Sequence, residues 1–221
     1  MPFPYAAVLF DMDGTLVDSE RPYLKAETEV FARMGLPDPR ALALMLVGIP
    51  AQETEELLVR RLGADFPLDR YRALRDEIRP QVIGDGIPAK PGARLLLERL
   101  LRHGVPFALA TSSVSANMDA HLRSAGLRDF FTVTACRDHV EHGKPAPDLY
   151  LLAARELGVD PAQCVAVEDS NPGVAAAHAA GARVLLVPDM TEPDDEALAV
   201  ATLLPDLAAA EAALFGTVTP A

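Results

Sequence analysis

Three apolar runs in this chain stop at residues able to do chemistry, and a lone lysine motif lies between two of them. Asp11 and Asp13 follow Ala6–Phe10, Thr111 and Ser112 follow Val105–Ala110, and Glu168 and Asp169 follow Cys164–Val167, while Lys144, one of three lysines, stands in Gly143-Lys144-Pro145. Carboxylates at i and i+2 of a strand end face the same side, so Asp11 and Asp13 can share one site. Several carboxylates held together without a cation are costly, because each disfavours the ionisation of the next. A hard divalent ion resolves that conflict. Magnesium prefers oxygen ligands and binds through one or two carboxylates, water and phosphate oxygens, which suits Asp11 and Asp169 with a backbone carbonyl. The plain structural alternative is that Asp13-Gly14 is a turn and Glu168-Asp169-Ser170-Asn171 a helix cap.

Such residues need elements that bring them to one place. Short continuous apolar runs at Ala6–Phe10, Val105–Ala110, Phe131–Ala135, Cys164–Val167 and Arg183–Val187 look like strands buried on both faces. Between them lie helical stretches with readable punctuation. One opens at Pro91-Gly92, carries Leu96, Leu97 and Leu100 on one face and stops at Gly104; others run over Ser115–Gly126, Pro147–Gly158 and Pro172–Gly181. This alternation predicts an α/β fold with a doubly wound parallel sheet, whose ligands sit outside the carboxyl ends of the strands. Residues 18–88 break the rhythm with amphipathic helical patterns over Ala26–Met34, Ala41–Leu46, Gln52–Leu62 and Asp69–Ile78 and no convincing strand. They read as an inserted α-helical cap, leaving 1–17 and 89–221 as the core; the tail beyond Phe215 is expected to fray.

Composition removes several function classes. A length of 221 residues with 50% apolar content bounds the chain to one full core with room for an insertion, and a net charge of −12 repels nucleic acid and anionic membranes. Cys136 and Cys164 show no C-x-x-C spacing, so they read as buried thiols of a reducing cytoplasm. The stretch Tyr5–Phe10 is too short for a signal sequence or a membrane span. His139, Glu141 and His142 suggest a second metal site only weakly, because their spacing fits no zinc pattern.

Taken together, Asp11-Met12-Asp13-Gly14-Thr15, Thr111-Ser112-Ser113, Gly143-Lys144-Pro145-Ala146-Pro147-Asp148 and Glu168-Asp169-Ser170-Asn171-Pro172-Gly173 resemble the four ordered motifs of the haloacid dehalogenase (HAD) superfamily. The resemblance is nearest to the helical-cap subfamily of small-molecule phosphatases and β-phosphoglucomutase-like proteins, and it implies a Rossmann-like core. It implies Asp11 as a nucleophile that becomes an aspartyl phosphate, and Asp13 as general acid and then general base. Thr111 and the Ser112 amide would bind phosphoryl oxygens, Lys144 would offset charge between nucleophile and phosphate, and Mg2+ would be held by Asp11, Asp13 and Asp169, with Glu168 a ligand or a support.

The resemblance therefore implies a phosphoric monoester hydrolase acting on small phosphorylated metabolites such as sugar or polyol monophosphates. The mutase alternative is less favoured. Its cap histidine falls at Tyr23, its cap arginine near Ala51 beyond Gly48, and its Lys-Asn pair at Val114-Ser115. A phosphoacceptor or phosphometabolite-binding module is the alternative of another class, and Asp13 argues against it, since acid–base help is wasted on a phosphoryl group meant to persist. Glu20, Arg21, Tyr23 and Arg75 are the cap positions expected to face substrate. A cytoplasmic monomer or weak homodimer is expected, with no nucleic-acid or membrane partner.

Overall fold

The computed structural model describes residues 3–47, 49, 51–84 and 86–216. Gly48 and the tail from residue 217 lie outside the described residues. In chain order, β1 (Ala7–Phe10) is followed by α1 (Glu20–Met34), α2 (Pro39–Leu44), α3 (Ala51–Leu62) and α4 (Leu68–Val82). Next come α5 (Ala93–Arg102), β2 (Phe107–Ala110), α6 (Ser115–Ser124), β3 (Thr134–Ala135) and α7 (Asp148–Leu157). The chain ends with β4 (Cys164–Glu168), α8 (Asn171–Ala179), β5 (Arg183–Leu186), α9 (Asp195–Val200), β6 (Ala201–Leu203) and α10 (Leu207–Leu214). Two compact units result, one running through Asp18 and again from Pro88 onward, the other Ser19–Ile87.

In the first unit, six parallel strands among the described residues lie in the order β3-β2-β1-β4-β5-β6. Successive strands leave β1 in one direction as far as β3, and the chain then returns to β4 on its other side. The carboxyl ends of β1 and β4 are thus the switch point at which such sheets bind ligands. Pairing of Phe10 with Val167 and with Leu109 sets Asp11, Glu168 and Ala110 at one level. Strands β1, β2 and β4 are buried along their whole length, so their sequences are continuously apolar rather than alternating, save for Glu168 at the end of β4.

Alternation still decides which residue faces which layer. Ala7 and Leu9 join Leu149 and Ala153 of α7 and Val174 and Ala177 of α8 in one cluster, where small side chains let the helices lie close to the sheet. The Phe10 ring meets Phe107 and Phe131 edge-on, with centroids 6.2 and 6.5 Å away. Each such pair adds about 0.5–1.5 kcal/mol beyond burial.

The second unit is helical, and its centre is polar as well as aromatic. Phe31 of α1 stacks on Tyr71 of α4 at 5.8 Å, and the Tyr71 hydroxyl donates to buried Glu27 at 2.9 Å. Arg79 completes the group, donating to Glu27 at 2.7 Å.

Some elements differ from the sequence expectation for physical reasons. Strand β6 has only three residues, two of them exposed, and shares the apolar stretch 197–204 with helix α9, so no separate run announces it. Helix α1 begins at Glu20 rather than Ala26, because its first turns are polar and hide the period. Helix α4 continues to Val82 through Pro80, four residues past Ile78, where the amphipathic pattern ends.

Candidate active site

The Asp11 carboxylate hangs from the end of β1, and its amide donates to Val167 O at 3.0 Å. Lys144 Nζ donates to Asp11 Oδ1 and to Glu168 Oε1, both at 2.6 Å, so one cation bridges two strand ends. Asp11 Oδ2 is buried and accepts no hydrogen bond. Burial pushes the Asp11 carboxyl up to about 7, with Lys144 opposing the rise and Glu168 and Asp13 adding to it. For Lys144, burial favours the neutral amine, but the Asp11 and Glu168 carboxylates override it and hold the ammonium above the usual lysine range.

Glu168 is the anchor beneath this pair. Its Oε1 also accepts from the Tyr150 hydroxyl at 2.6 Å, and its Oε2 accepts from Asp169 N at 3.0 Å, Ser170 N at 3.3 Å and Ser170 Oγ at 3.1 Å. Five donors on two oxygens fix the orientation of the carboxylate in the interior. Gly173, in the first turn of α8, makes room for it, since a Cβ there would overlap the Glu168 carboxylate. Gly14 does the same for Asp169. It has φ +84°, and a Cβ would run into the Asp169 carboxylate.

Asp13 sits in a different environment. Its side chain is 25% exposed, with Ser113 Oγ donating to Oδ2 at 2.7 Å and His121 Nδ1 3.1 Å from Oδ1. Thr111, fully buried at the end of β2, accepts from Ser113 N at 3.0 Å through Oγ1, and Ser112 follows it half-buried. The core unit thus gathers Asp11, Asp13, Thr111, Ser112, Lys144, Glu168 and Asp169 at the carboxyl edge of its sheet.

Residues 5–181 match the model of the haloacid dehalogenase-like hydrolases. The chain belongs to that family. It is 36% identical over 186 residues to the fructose-1-phosphate phosphatase YqaB of Escherichia coli, spanning 80% of this chain and 93% of that one. It is 35% identical to the phosphorylated carbohydrates phosphatase of Thermotoga maritima, over 79% of this chain and 81% of the relative. Among solved structures, an HAD family hydrolase from Deinococcus radiodurans with bound phosphate and sodium superposes with a TM-score of 0.80 at 35% identity, covering 99% of both chains. This HAD hydrolase is accordingly a phosphoric monoester hydrolase.

The acidic group fits a hard cation. Carboxylate oxygens of Asp11, Glu168 and Asp169 lie within 4.8 Å of one another, and Asp11 Oδ2 has no protein donor. Of the three, Glu168 accepts donors through both oxygens, so Asp11 and Asp169 are the better candidates to hold an ion. A second group of Cys136, Asp138 and His139 is internally satisfied. His139 Nδ1 accepts from Cys136 N at 3.3 Å, which leaves the ring proton on Nε2 to donate to Ser115 Oγ at 3.0 Å. That hydroxyl donates to Asp138 at 2.8 Å, and Asp138 accepts the Ser115 amide at the start of α6. No lone pair of His139 is left for a metal. His142 instead faces Asp148 at 3.4 Å, and Glu141 is exposed.

The cap candidates of this HAD hydrolase lie in the helical unit. Glu20 and Arg21 stand in the first turn of α1, Tyr23 lies under the Arg79 guanidinium at 5.0 Å, and Arg75 is 3.9 Å from Glu55. Sequence reasoning missed Tyr150 and His121. Both look like interior residues of amphipathic helices, and the only signal was a polar group on an apolar face beside Leu149 and Leu122.

Proposed function

We propose that this chain is a magnesium-dependent phosphatase of small sugar or polyol monophosphates that works through an aspartyl phosphate on Asp11. The observation that carries the reading is the Asp11 carboxylate, buried, clamped through one oxygen by Lys144 and open at the other. Names of the relatives, a fructose-1-phosphate phosphatase and a phosphorylated carbohydrates phosphatase, support the substrate class.

In the first step an Asp11 oxygen attacks phosphorus, the bond from phosphorus to the substrate oxygen breaks, and Asp13 gives its proton to that leaving oxygen. In the second, Asp13 takes a proton from water as the water oxygen attacks the same phosphorus, releasing phosphate and restoring the Asp11 carboxylate. Thr111 Oγ1 and the Ser112 amide bind the phosphoryl oxygens, while Lys144 compensates the charge gathered between them and Asp11. Asp11, Asp169 and the Asp13 carbonyl would hold Mg2+, which neutralises phosphoryl charge when bound. Glu168 acts by positioning Lys144.

Residues 19–87 serve as the cap in this reading, with Glu20, Arg21, Tyr23 and Arg75 as candidate substrate contacts. Buried, unpaired thiols at Cys136 and Cys164 support work in a reducing cytoplasm. No helix among the described residues is long and apolar enough to cross a membrane.

The test is phosphate release from sugar, polyol, nucleotide and carboxylate monophosphates with magnesium, with Asp11→Asn as blank and acid-quenched enzyme analysed for a phosphorylated Asp11 peptide. Release from several sugar or polyol esters, lost in the variant and on chelation, is expected. Full activity of Asp11→Asn would remove the covalent route. A glucose 1-phosphate to glucose 6-phosphate conversion without net release would make the chain a mutase.

A further inference from the structure

We propose that His121 is a positioning residue that aims the Asp13 carboxylate for proton transfer, an assignment that rests on Asp13 being the acid–base group proposed above. His121 lies on the inner face of α6 beside Met118 and Leu122 and is only 8% exposed. A buried imidazole on an apolar helix face costs free energy unless its polar atoms are met. Here Nδ1 is met by Asp13 Oδ1 at 3.1 Å, and since a carboxylate only accepts, Nδ1 carries the proton.

One donor would leave the Asp13 carboxylate free to turn about its Cβ–Cγ bond. Two donors on two oxygens fix that rotation, His121 on Oδ1 and Ser113 Oγ on Oδ2 at 2.7 Å. Both donors come from the segment that follows β2, and Ser113 N also binds Thr111 Oγ1 at 3.0 Å. The acid–base carboxylate is therefore held in register with the phosphoryl-binding hydroxyl through a single stretch of chain. Proton transfer needs such alignment, because an acid displaced by a fraction of an ångström loses much of its effect.

The experiment compares kcat/KM for the best alkyl monophosphate of the panel with that for p-nitrophenyl phosphate, using the full chain with magnesium. An aryl leaving group departs without a proton, an alkoxide does not, and kcat/KM reports the step that forms the phosphoenzyme without the later hydrolysis. For His121→Leu the alkyl-to-aryl ratio is expected to fall by about tenfold or more, within the range general acids supply. His121→Asn, whose Nδ2 offers a donor near the place of Nδ1, should recover the ratio to within about threefold of wild type. Aryl activity reports that each variant is folded, and His121→Met repeats the test if the leucine variant is not. A ratio within about twofold of wild type in His121→Leu, or an asparagine variant no better than the leucine one, overturns the assignment. Asp13→Asn separates the two layers of the argument. If it collapses the ratio and His121→Leu does not, only the His121 assignment fails; if it leaves the ratio unchanged, the acid–base reading of Asp13 fails first.

Discussion

Replacing Asp11 by Asn should stabilise the metal-free protein, and by an amount that grows with pH. The Asp11 carboxyl stands at about 7 in the folded chain against an ordinary value of 3.8, with burial the largest cause. An acid raised on folding leaves the native chain holding more protons than the unfolded one between those two values, so stability falls as pH rises through that window. At about 1.4 kcal/mol per unit of pKa, the full penalty is on the order of 4 kcal/mol once pH exceeds the folded value. By about pH 5 somewhat under half of it is already lost, so roughly 2–3 kcal/mol remains to appear between about pH 5 and 8. Asparagine is nearly isosteric and never ionises, and it carries none of this slope. Urea unfolding of both proteins in EDTA at intervals across that range should show the variant's advantage widening by roughly 2–3 kcal/mol, with equal m values. A gap that stays constant to within about 0.5 kcal/mol would refute the buried-carboxylate argument. Magnesium should narrow the gap, because a cation that binds only the native wild type stabilises it.

Three further changes test the supports of the site. Gly173→Ala puts a methyl group where the Glu168 carboxylate lies; a loss of about 1–3 kcal/mol in urea and a large fall in kcat are expected, and a wild-type-like variant would contradict the close approach. Tyr150→Phe removes one of the buried donors to Glu168, and should cost about 1–3 kcal/mol by thermal or urea unfolding and lower kcat more than it raises KM. Tyr71→Phe, in the helical unit, leaves Glu27 with one donor fewer and should cost about 1–3 kcal/mol, with phosphoenzyme formation from p-nitrophenyl phosphate as the check that the core chemistry persists.

The parts of this structure that were legible in the sequence are those where one physical demand dominates. Strands β1 and β2 and the first four residues of β4 read clearly because burial on both faces selects apolar residues there. Strand β3 is two residues long, and the apolar run that suggested more of it includes Phe131, whose ring belongs to the cluster with Phe10 and Phe107 rather than to a ladder. Edge strand β6 answers to no burial demand on most of its length, and α9 and α10 are short and alanine-rich, with little amphipathic contrast. The site residues were legible for a related reason: carboxylates stacked at strand ends stand out against apolar runs. Tyr150 and His121 did not stand out, because what makes them polar partners is a contact across the fold. Tyr150 meets Glu168 18 positions away and His121 meets Asp13 108 away. Only the assembled sheet edge supplies that information.

Asp11 and Asp13 are two residues apart in sequence, yet the fold places them in opposite situations, and this division is what the proposed chemistry requires. Asp11 lies in the interior with its charge balanced mainly by Lys144, and it keeps one oxygen with no protein donor. A nucleophile needs that unshared oxygen, because each hydrogen bond to it would lower its reactivity toward phosphorus. Asp13 reaches toward solvent, and both its oxygens are met by side-chain donors. A group that must give up a proton and take one back needs orientation and contact with water more than reactivity. Strand β1 ends at Phe10, so Asp11 lies at the strand end and Asp13 in the loop beyond it, where Gly14 with φ +84° turns the chain and leaves room for Asp169. A side chain at that position would disturb the Asp169 carboxylate and the turn together. The contrast between the two aspartates therefore follows from one lying at the strand end and the other in the loop beyond it, which puts a buried carboxylate and a solvent-facing one in the same site, as the proposed nucleophile and acid require.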